Sequence, residues 1–338
     1  MPFILAGLVD PIATRVRLAG LIGSAEASSG TFYSSVVIRA SRLHSETGTL
    51  GAVEPFEFRR SLAFVKGFGP MSVQQEVDGD SITRAVIVDG QVVVFRVSEG
   101  KGARLEYRLF SPEPISEETA KGMGGRIAFF LSLDDDVGRF YSIAKENDPK
   151  FYPLVESAWG LHHVKFLTFL EIASWALINQ RIQRPIALRI RRSLMERFGA
   201  SLEVDGKLYW AFPDGARLRA ATAAQLLETT KNQRITRRLL SLASSLDELD
   251  EGFLRTALFE KAKARLEGVY GVGEWSSQFI LFRGFGRMGK LQPLHVKRLG
   301  ETIKAVYGSV KPLKEINDTY GSWTGYWQLY LWASTMPG

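Results

Sequence analysis

The sequence predicts a small α+β N-terminal domain followed by an all-α domain, and three observations carry this prediction. Residues 51–138 contain strand-like runs separated by turn signals, whereas the apolar residues from about 139 onwards recur at helical spacing. The chain has 338 residues and is 45% hydrophobic, which is enough for two compact units. We therefore assign residues 51–138 to the α+β domain and residues 139–338 to the helical domain. We expect residues 1–50 to be a poorly structured N-terminal extension, because they show no sustained period.

The segment from residue 51 to residue 138 begins with a helical pattern and continues with strands. Phe58, Leu62 and Val65 have the spacing of one helix face. The runs SITRAVIV and QVVVFRVSE are then separated by Asp89-Gly90, a dipeptide typical of β-hairpins. The run RLEYRLFS predicts a further strand.

The helical domain shows its period most clearly in the run PIALRIRRSLMERFG. Ile186, Ile190, Leu194 and Phe198 recur at intervals of four residues, and Gly199 is suited to the end of the helix. The same kind of pattern predicts further helices over residues 220–246, 253–266, 274–285 and 294–306.

The composition excludes several classes of protein. The chain has no cysteine, so disulfides, thiolate metal sites and iron–sulfur clusters are excluded. Its four histidines form no HExxH pattern, which argues against a zinc enzyme. No apolar run is long enough to cross a membrane, and the first residues lack the basic region of a signal peptide. We expect a soluble cytoplasmic protein.

The positive charge is concentrated in the helical domain. The net charge is +7 for the whole chain, −4 for residues 51–138 and +10 for residues 139–338. A basic domain attracts polyanions, so nucleic acid is a candidate partner. A basic surface that serves only solubility explains the charge equally well.

The most informative segment is LEGVYGVGEWSSQFILFRGFG, residues 266–286. It predicts two apolar helices joined by a tight turn at Gly271-Val272-Gly273. Glycine at 271 and 273 permits positive φ and close approach of the backbone, and Val272 would fill the core between the helices. The amide groups that start the second helix can then face a phosphate. The alternative is an ordinary turn between two helices.

Four stretches of this sequence, in this order, resemble one known family: FEFRRSLAFVKGFGPM, WALINQRI, VYGVGEWSSQFILFRGFGR and YGSWTGYWQLYLW. The family is the helix-hairpin-helix DNA glycosylase superfamily, and within it the AlkA-like 3-methyladenine DNA glycosylase II group. The resemblance covers about residues 54–338. It implies that the helical domain is a helix-hairpin-helix glycosylase domain, preceded by the α+β domain of that group.

The resemblance also implies residue roles in DNA binding. Gly271, Val272 and Gly273 match the phosphate-binding hairpin, where some relatives hold a structural monovalent cation through carbonyls; no other cofactor is implied. Gln180 matches the glutamine of the family's DNA-facing turn. Arg181 follows it, at the place where relatives put the side chain that fills the gap left by an extruded base. A solvated surface charge is the alternative for Arg181.

Two tryptophans match the pocket that receives the flipped base in this family, namely Trp275 and Trp332. The alternative is that both are ordinary core aromatics. Indole faces attract a cationic alkylated purine, which agrees with the pocket interpretation.

Two departures from the family pattern concern the chemistry. Members that also cut the backbone carry a lysine where this chain has Trp275, so we expect no Schiff base and a monofunctional enzyme. The family's catalytic aspartate is matched by His295 in one register and by Pro293 in another. No Asp or Glu lies between Glu274 and Glu301, so His295 is our candidate catalytic residue.

Two functions remain open on these grounds. The first is a DNA glycosylase that flips alkylated purines, of the 3-methyladenine and 7-methylguanine type, out of double-stranded DNA and hydrolyses the N-glycosidic bond. The second is a damaged-DNA-binding protein of the same fold without catalysis, which would explain the missing carboxylate. Either would be a monomer associated with the nucleoid. No basic recognition helix supports a transcription regulator.

Overall fold

A computed structural model describes residues 36–71, 74–101, 104–289, 300–309 and 312–335. Its N-terminal part is built on an antiparallel five-stranded sheet in the spatial order β2-β6-β5-β4-β3. The strands are β2 (His44–Gly51), β3 (Gln75–Asp78), β4 (Ser81–Val88), β5 (Gln91–Glu99) and β6 (Arg104–Ser111). The fold is therefore mixed, with a sheet region near the N-terminus and helices in the C-terminal part.

The β4–β5 hairpin has the turn that its sequence predicts. Asp89 and Gly90 have φ angles of +51° and +79°, and Val88 pairs with Gln91 across the turn. Two positive φ angles in a two-residue turn match the twist of the flanking strands. The side chains of β4 are buried on both faces of the sheet, because both faces are covered.

The helices occupy most of the remaining chain. In chain order they are α1 (Phe58–Gly67), α2 (Glu117–Leu131), α3 (Val137–Asn147), α4 (Tyr152–Ser157), α5 (Phe169–Ile178), α6 (Arg184–Phe198), α7 (Gly215–Ala220), α8 (Ala223–Thr230), α9 (Gln233–Ser244), α10 (Glu251–Thr256), α11 (Phe259–Glu267), α12 (Glu274–Phe285), α13 (Gly300–Tyr307), α14 (Leu313–Tyr320) and α15 (Thr324–Ala333). Short 3-10 turns cover Gly69–Met71 and Gly321–Trp323. The predicted domain boundary at residue 138 falls inside α3. No helix in the described ranges is long and apolar enough to cross a membrane.

A second sheet corrects the prediction that residues 139–338 are all helical. Its strands are β1 (Val36–Ile38), β7 (Ala200–Val204) and β8 (Lys207–Ala211), with β1 parallel to β7. Asp205 and Gly206 form the β7–β8 turn, again with two positive φ angles. The apolar side chains of this hairpin pack on residues of β4, β5 and β6. The hairpin therefore covers the second face of the five-stranded sheet.

The prediction that residues 1–50 are poorly structured is wrong for two of their segments. Strand β2 pairs with β6 along its whole length, and β1 pairs with β7. Strand β2 is difficult to recognise in the sequence because it is an edge strand with few buried side chains. Its residues therefore lack a regular apolar alternation. Residues 1–35 lie outside the described residues.

A buried charge cluster joins the sheet to the helices. Glu171 on α5 accepts a hydrogen bond from Arg84 on β4 at 2.9 Å, and Arg191 on α6 lies 3.6 Å from the same carboxylate. Arg191 also donates to the carbonyl of Pro70 at 2.8 Å. All three side chains are essentially inaccessible to solvent. The cluster fixes α5 and α6, and the loop between them carries the candidate site residues Gln180 and Arg181.

Candidate functional site

The turn between α11 and α12 contains the three residues that the sequence singled out. Gly271 has a φ of +91°, and a Cβ atom there would lie 2.5 Å from Cγ of Arg238. Gly273 has a φ of −103° and open space around its Cα, so the expected positive φ is absent at this position. Val272 is buried in the core, as predicted. Gly271 is therefore required by the fold, whereas the fold does not require Gly273 to be glycine.

Gln180 holds this turn against the end of α5. Its side-chain amide donates to the carbonyl of Gly271 at 2.8 Å and to Oγ of Ser276 at 2.9 Å. The backbone amide of Tyr270 donates to Oγ of Ser241 on α9 at 3.1 Å. The turn is thus fixed from two sides.

Arg181 follows Gln180 directly and is exposed. Its φ is +57°, in the left-handed region that bulky side chains rarely adopt. Because Gln180 is hydrogen-bonded to the turn between α11 and α12, the next residue, Arg181, lies at the edge of the surface that this turn forms.

The first turn of α12 lacks a side-chain cap. Gly273 is the N-cap residue, and no side chain accepts from the amide groups that follow it. Such groups, together with the helix dipole, favour an anion. The exposed carboxylate of Glu274 in the same turn opposes an anion.

Four arginines lie around the turn, and we call them the arginine cluster: Arg181, Arg234, Arg237 and Arg238. Burial and the charges of Arg234 and Arg181 lower the pKa of Arg238, so the guanidinium group of Arg238 is repelled by those of Arg234 and Arg181. The guanidinium of Arg237 lies 5.1 Å from the ring centre of the exposed Tyr270. Within the described ranges, no member of the cluster forms an ion pair. The cluster is therefore an uncompensated positive surface.

Two arginines of α6, the helix that follows Gln180 in the sequence, interact with carboxylates of the protein. Arg191 belongs to the buried cluster with Glu171. Arg197 donates to Glu228 at 2.5 Å.

The two predicted pocket tryptophans are connected by a continuous series of aromatic contacts. Trp275 stacks on Phe279 with ring centres 5.1 Å apart, and Trp332 meets Phe68 at 5.7 Å. Phe166 lies between them, 6.4 Å from Phe279 and 6.3 Å from Phe68. Trp275, Phe68 and Trp332 are only half-buried. The sequence pattern did not single out these phenylalanines, although Phe279 lies one helical turn after Trp275.

Arg283 on α12 packs against the Trp332 end of this series, where we call Phe64, Phe68 and Trp332 the aromatic wall. Its guanidinium is 4.7 Å from the ring centre of Phe64 and 4.4 Å from that of Phe68, and both rings contact Trp332. The side chain is 4% exposed, and neither Nε nor Nη2 has a hydrogen-bond partner. Burial lowers the pKa of Arg283 to about 9. No local pattern in the sequence predicts that this arginine is buried.

The described residues bear only in part on the remaining predictions about the chemistry. His295 and Pro293 lie outside the described residues. The residue two positions after Gly273 is Trp275, which carries no amine. The described residues contain no group of three or more His, Cys, Asp or Glu side chains that could hold a metal ion.

Two carbonyls of the turn accept hydrogen bonds within the protein. The carbonyl of Gly271 faces the amide of Gln180, and that of Val269 accepts from Val272 at 2.9 Å. The cation implied by the resemblance stays a prediction.

Comparisons with known proteins find similar proteins in sequence and in fold. No family profile matches the chain. A DNA-3-methyladenine glycosylase of Bacillus subtilis (strain 168) is 25% identical over 267 residues, which cover 76% of this chain and 87% of the relative.

Two solved structures share the fold. The 3-methyladenine DNA-glycosylase from Archaeoglobus fulgidus superposes with a TM-score of 0.67 at 17% identity, covering 84% of this chain and 96% of that protein. The Clostridium acetobutylicum 8-oxoguanine glycosylase/lyase, in complex with double-stranded DNA containing cytosine opposite to 8-oxoG, gives a TM-score of 0.61 at 19% identity. It covers 88% of this chain and 98% of that protein. The resemblance to DNA glycosylases predicted from the sequence is therefore confirmed.

Proposed function

We propose that this protein is a monofunctional DNA repair glycosylase that removes alkylated purines from double-stranded DNA. The observation that carries the proposal is the first turn of α12, which combines uncapped amide groups with Trp275. A phosphate held by the amides and a base stacked on Trp275 would belong to the same flipped nucleotide or its neighbours. The names of the similar proteins support the same activity.

The DNA backbone would lie across the turn and the arginine cluster. Backbone amides and guanidinium groups are the usual partners of phosphate oxygens. Gln180 keeps the turn in shape rather than reading the DNA, because its amide hydrogens are used within the protein. This makes Gln180 a positioning residue and leaves the phosphates to the amides and arginines.

Arg181 would enter the duplex where the damaged base has left. Extrusion leaves a hole in the base stack, and a long planar guanidinium can fill it and stack on the neighbouring bases. Its place beside the fixed turn, with its side chain exposed, supports this role.

The extruded base would stack on the half-buried rings of Trp275 and Trp332. A purine alkylated at N3 or N7 carries a positive charge, which aromatic faces attract. Because no amine stands at position 275, water rather than a lysine would attack the sugar. His295 stays the candidate that orients this water.

A single-turnover excision assay tests the proposal. The protein, in excess over duplexes carrying 7-methylguanine or 3-methyladenine, should release the free base and leave an abasic site. A duplex with an unmodified guanine at the same position is the control and should stay intact. If the lesion duplex is bound but no base is released over hours, the protein is a damaged-DNA-binding protein instead.

Borohydride trapping on abasic-site DNA tests the monofunctional assignment. We expect no covalent adduct, and the bifunctional glycosylase/lyase type serves as the positive control. An adduct on a lysine of this chain would contradict hydrolysis by water alone.

A further inference from the structure

The unexplained feature of the site is the buried cation of Arg283. Its guanidinium lies against Phe64 and Phe68, both of which contact Trp332, and Phe68 and Trp332 are half-buried. A buried guanidinium normally pairs with a carboxylate or satisfies its donors on carbonyls. Arg283 instead leaves Nε and Nη2 unpartnered.

The surroundings do not neutralise this charge. Burial alone lowers the pKa of Arg283, and no carboxylate among the described residues forms an ion pair with its guanidinium. His163 is fully buried, and burial together with the charges of Arg283 and Lys165 lowers its pKa well below the usual value, so it is neutral. Lys165 has nearby acidic groups of its own, Asp135 and Asp134. The guanidinium of Arg283 therefore lies against the rings of Phe64 and Phe68 without a paired carboxylate among the described residues.

The charge of a nucleobase changes in one direction when it is excised. The bond between C1′ of the sugar and the base nitrogen breaks, and its electron pair leaves with the base. A cationic alkylpurine becomes neutral, while water bonds to C1′ and releases a proton to solvent. The base thus becomes more negative by one unit, and a fixed cation beside it favours the product side of this change.

We propose that Arg283 acts from behind the aromatic wall to promote departure of the base, as an electrostatic positioning residue on the leaving-group side. The inference rests on the proposed function. It supplies an electrostatic contribution in a chain that has no carboxylate between residues 275 and 300 to stabilise the sugar. The guanidinium cation of Arg283 raises the free energy of the bound, positively charged lesion. This penalty disappears as the bond between C1′ and the base breaks and the base becomes neutral. The cation therefore raises the rate of excision and not the affinity for the lesion.

Two substitutions separate this role from a purely structural one. Arg283→Met keeps the length of the side chain and removes the charge, whereas Arg283→Lys keeps a charge at slightly acidic pH. The single-turnover rate constant on a 7-methylguanine duplex and the affinity for a duplex with non-cleavable 2′-fluorinated 7-methylguanosine are both measured. Circular dichroism and thermal melting check that each variant is folded.

The expected results have opposite signs. Arg283→Met should lower the single-turnover rate constant by about tenfold or more. A unit charge separated from the departing base only by the aromatic wall interacts strongly with it, because the protein interior between them is dry. It should also bind the non-cleavable cationic duplex more tightly than the parent. Arg283→Lys should stay close to the parent in both measurements.

Other outcomes overturn the inference. A folded Arg283→Met protein that excises at the parental rate, or that loses rate and affinity together, would show that the charge has no such role. If the parent itself releases no base, the proposed function fails; a parent that excises while Arg283→Met does so equally fast sinks the inference alone.

Discussion

Arg181 is held in a backbone conformation that its side chain disfavours. The left-handed region costs a bulky L-residue about 1 kcal/mol or more. The neighbouring Gln180 is fixed by two hydrogen bonds to the turn, so the surrounding structure imposes this conformation. Strain at an exposed arginine fits a side chain that is kept for binding rather than for stability.

Replacing Arg181 separates stability from activity. Arg181→Gly should leave the free energy of unfolding unchanged or raise it by up to about 1 kcal/mol, because relief of strain offsets the extra freedom of glycine in the unfolded chain. Excision should fall at least about tenfold with both Arg181→Gly and Arg181→Ala, because the side chain that fills the duplex is lost. Urea unfolding and single-turnover excision measure the two effects. Parental excision by both variants would contradict the role of Arg181.

The two glycines of the turn should respond differently to the same change. Gly271→Ala should destabilise the fold by about 1–3 kcal/mol, since its φ is positive and its Cβ would meet Arg238. Gly273→Ala meets nothing within 4 Å, so its melting temperature should match that of the parent.

DNA binding supplies the second readout for Gly273. Gly273→Ala should weaken binding to any duplex, and Gly273→Asp should weaken it further through repulsion of the phosphate. Titration of a fluorescent duplex at low salt measures both. Undiminished binding by Gly273→Asp would mean that the turn does not face DNA.

At the scale of elements, the charge cluster between β4, α5 and α6 sets the stability of the joint. Glu171→Gln would leave the buried guanidinium groups of Arg84 and Arg191 without their counter-charge. We expect the free energy of unfolding to fall by about 3 kcal/mol or more. The matched control is Glu196→Gln on the exposed face of α6, which should change it by less than about 0.5 kcal/mol. Equal effects in urea unfolding would refute this account.

Helix α12 carries an acidic residue at the end that would face DNA. Glu274→Gln should tighten binding to duplex DNA by about two- to fivefold, because it removes a charge that repels the phosphate. Glu117→Gln makes the same change in the first turn of α2 and controls for the loss of a helix-end charge. Weaker binding by Glu274→Gln alone would place the phosphate elsewhere.

Elements with a local signal could be predicted, and elements fixed by long-range packing could not. The dipeptide Asp89-Gly90 predicts the β4–β5 hairpin. The same dipeptide at Asp205-Gly206 was available for β7–β8, but the helical pattern on both sides concealed it. The predicted helix over residues 220–246 is two helices, α8 and α9, separated by Lys231 with a φ of +51°.

The candidate site could be predicted only where the resemblance supplied residues. Trp275 and Trp332 were named in this way, but nothing local in the sequence shows that phenylalanines connect them. The bonds from Gln180 to the turn span more than ninety positions of chain, and Arg283 is indistinguishable in sequence from a surface arginine. Such contacts follow from the fold as a whole.

The charge of the whole molecule is distributed unevenly, with +10 on residues 139–338. The arginine cluster concentrates part of it beside the α11–α12 turn, without ion pairs among the described residues. Binding through such groups releases counter-ions and therefore weakens as salt rises.

The salt dependence of DNA binding measures the contribution of the cluster. Arg237→Gln should make the slope of log K against log salt concentration shallower by about 0.9, because one phosphate contact is lost. Affinity should fall on every duplex sequence alike, since phosphates carry no sequence information. Lys207→Gln removes the same charge from β8, where the lysine pairs with Glu76 at 2.5 Å, and should leave the slope unchanged. If both variants lower the slope equally, binding depends on total charge and not on the arginine cluster.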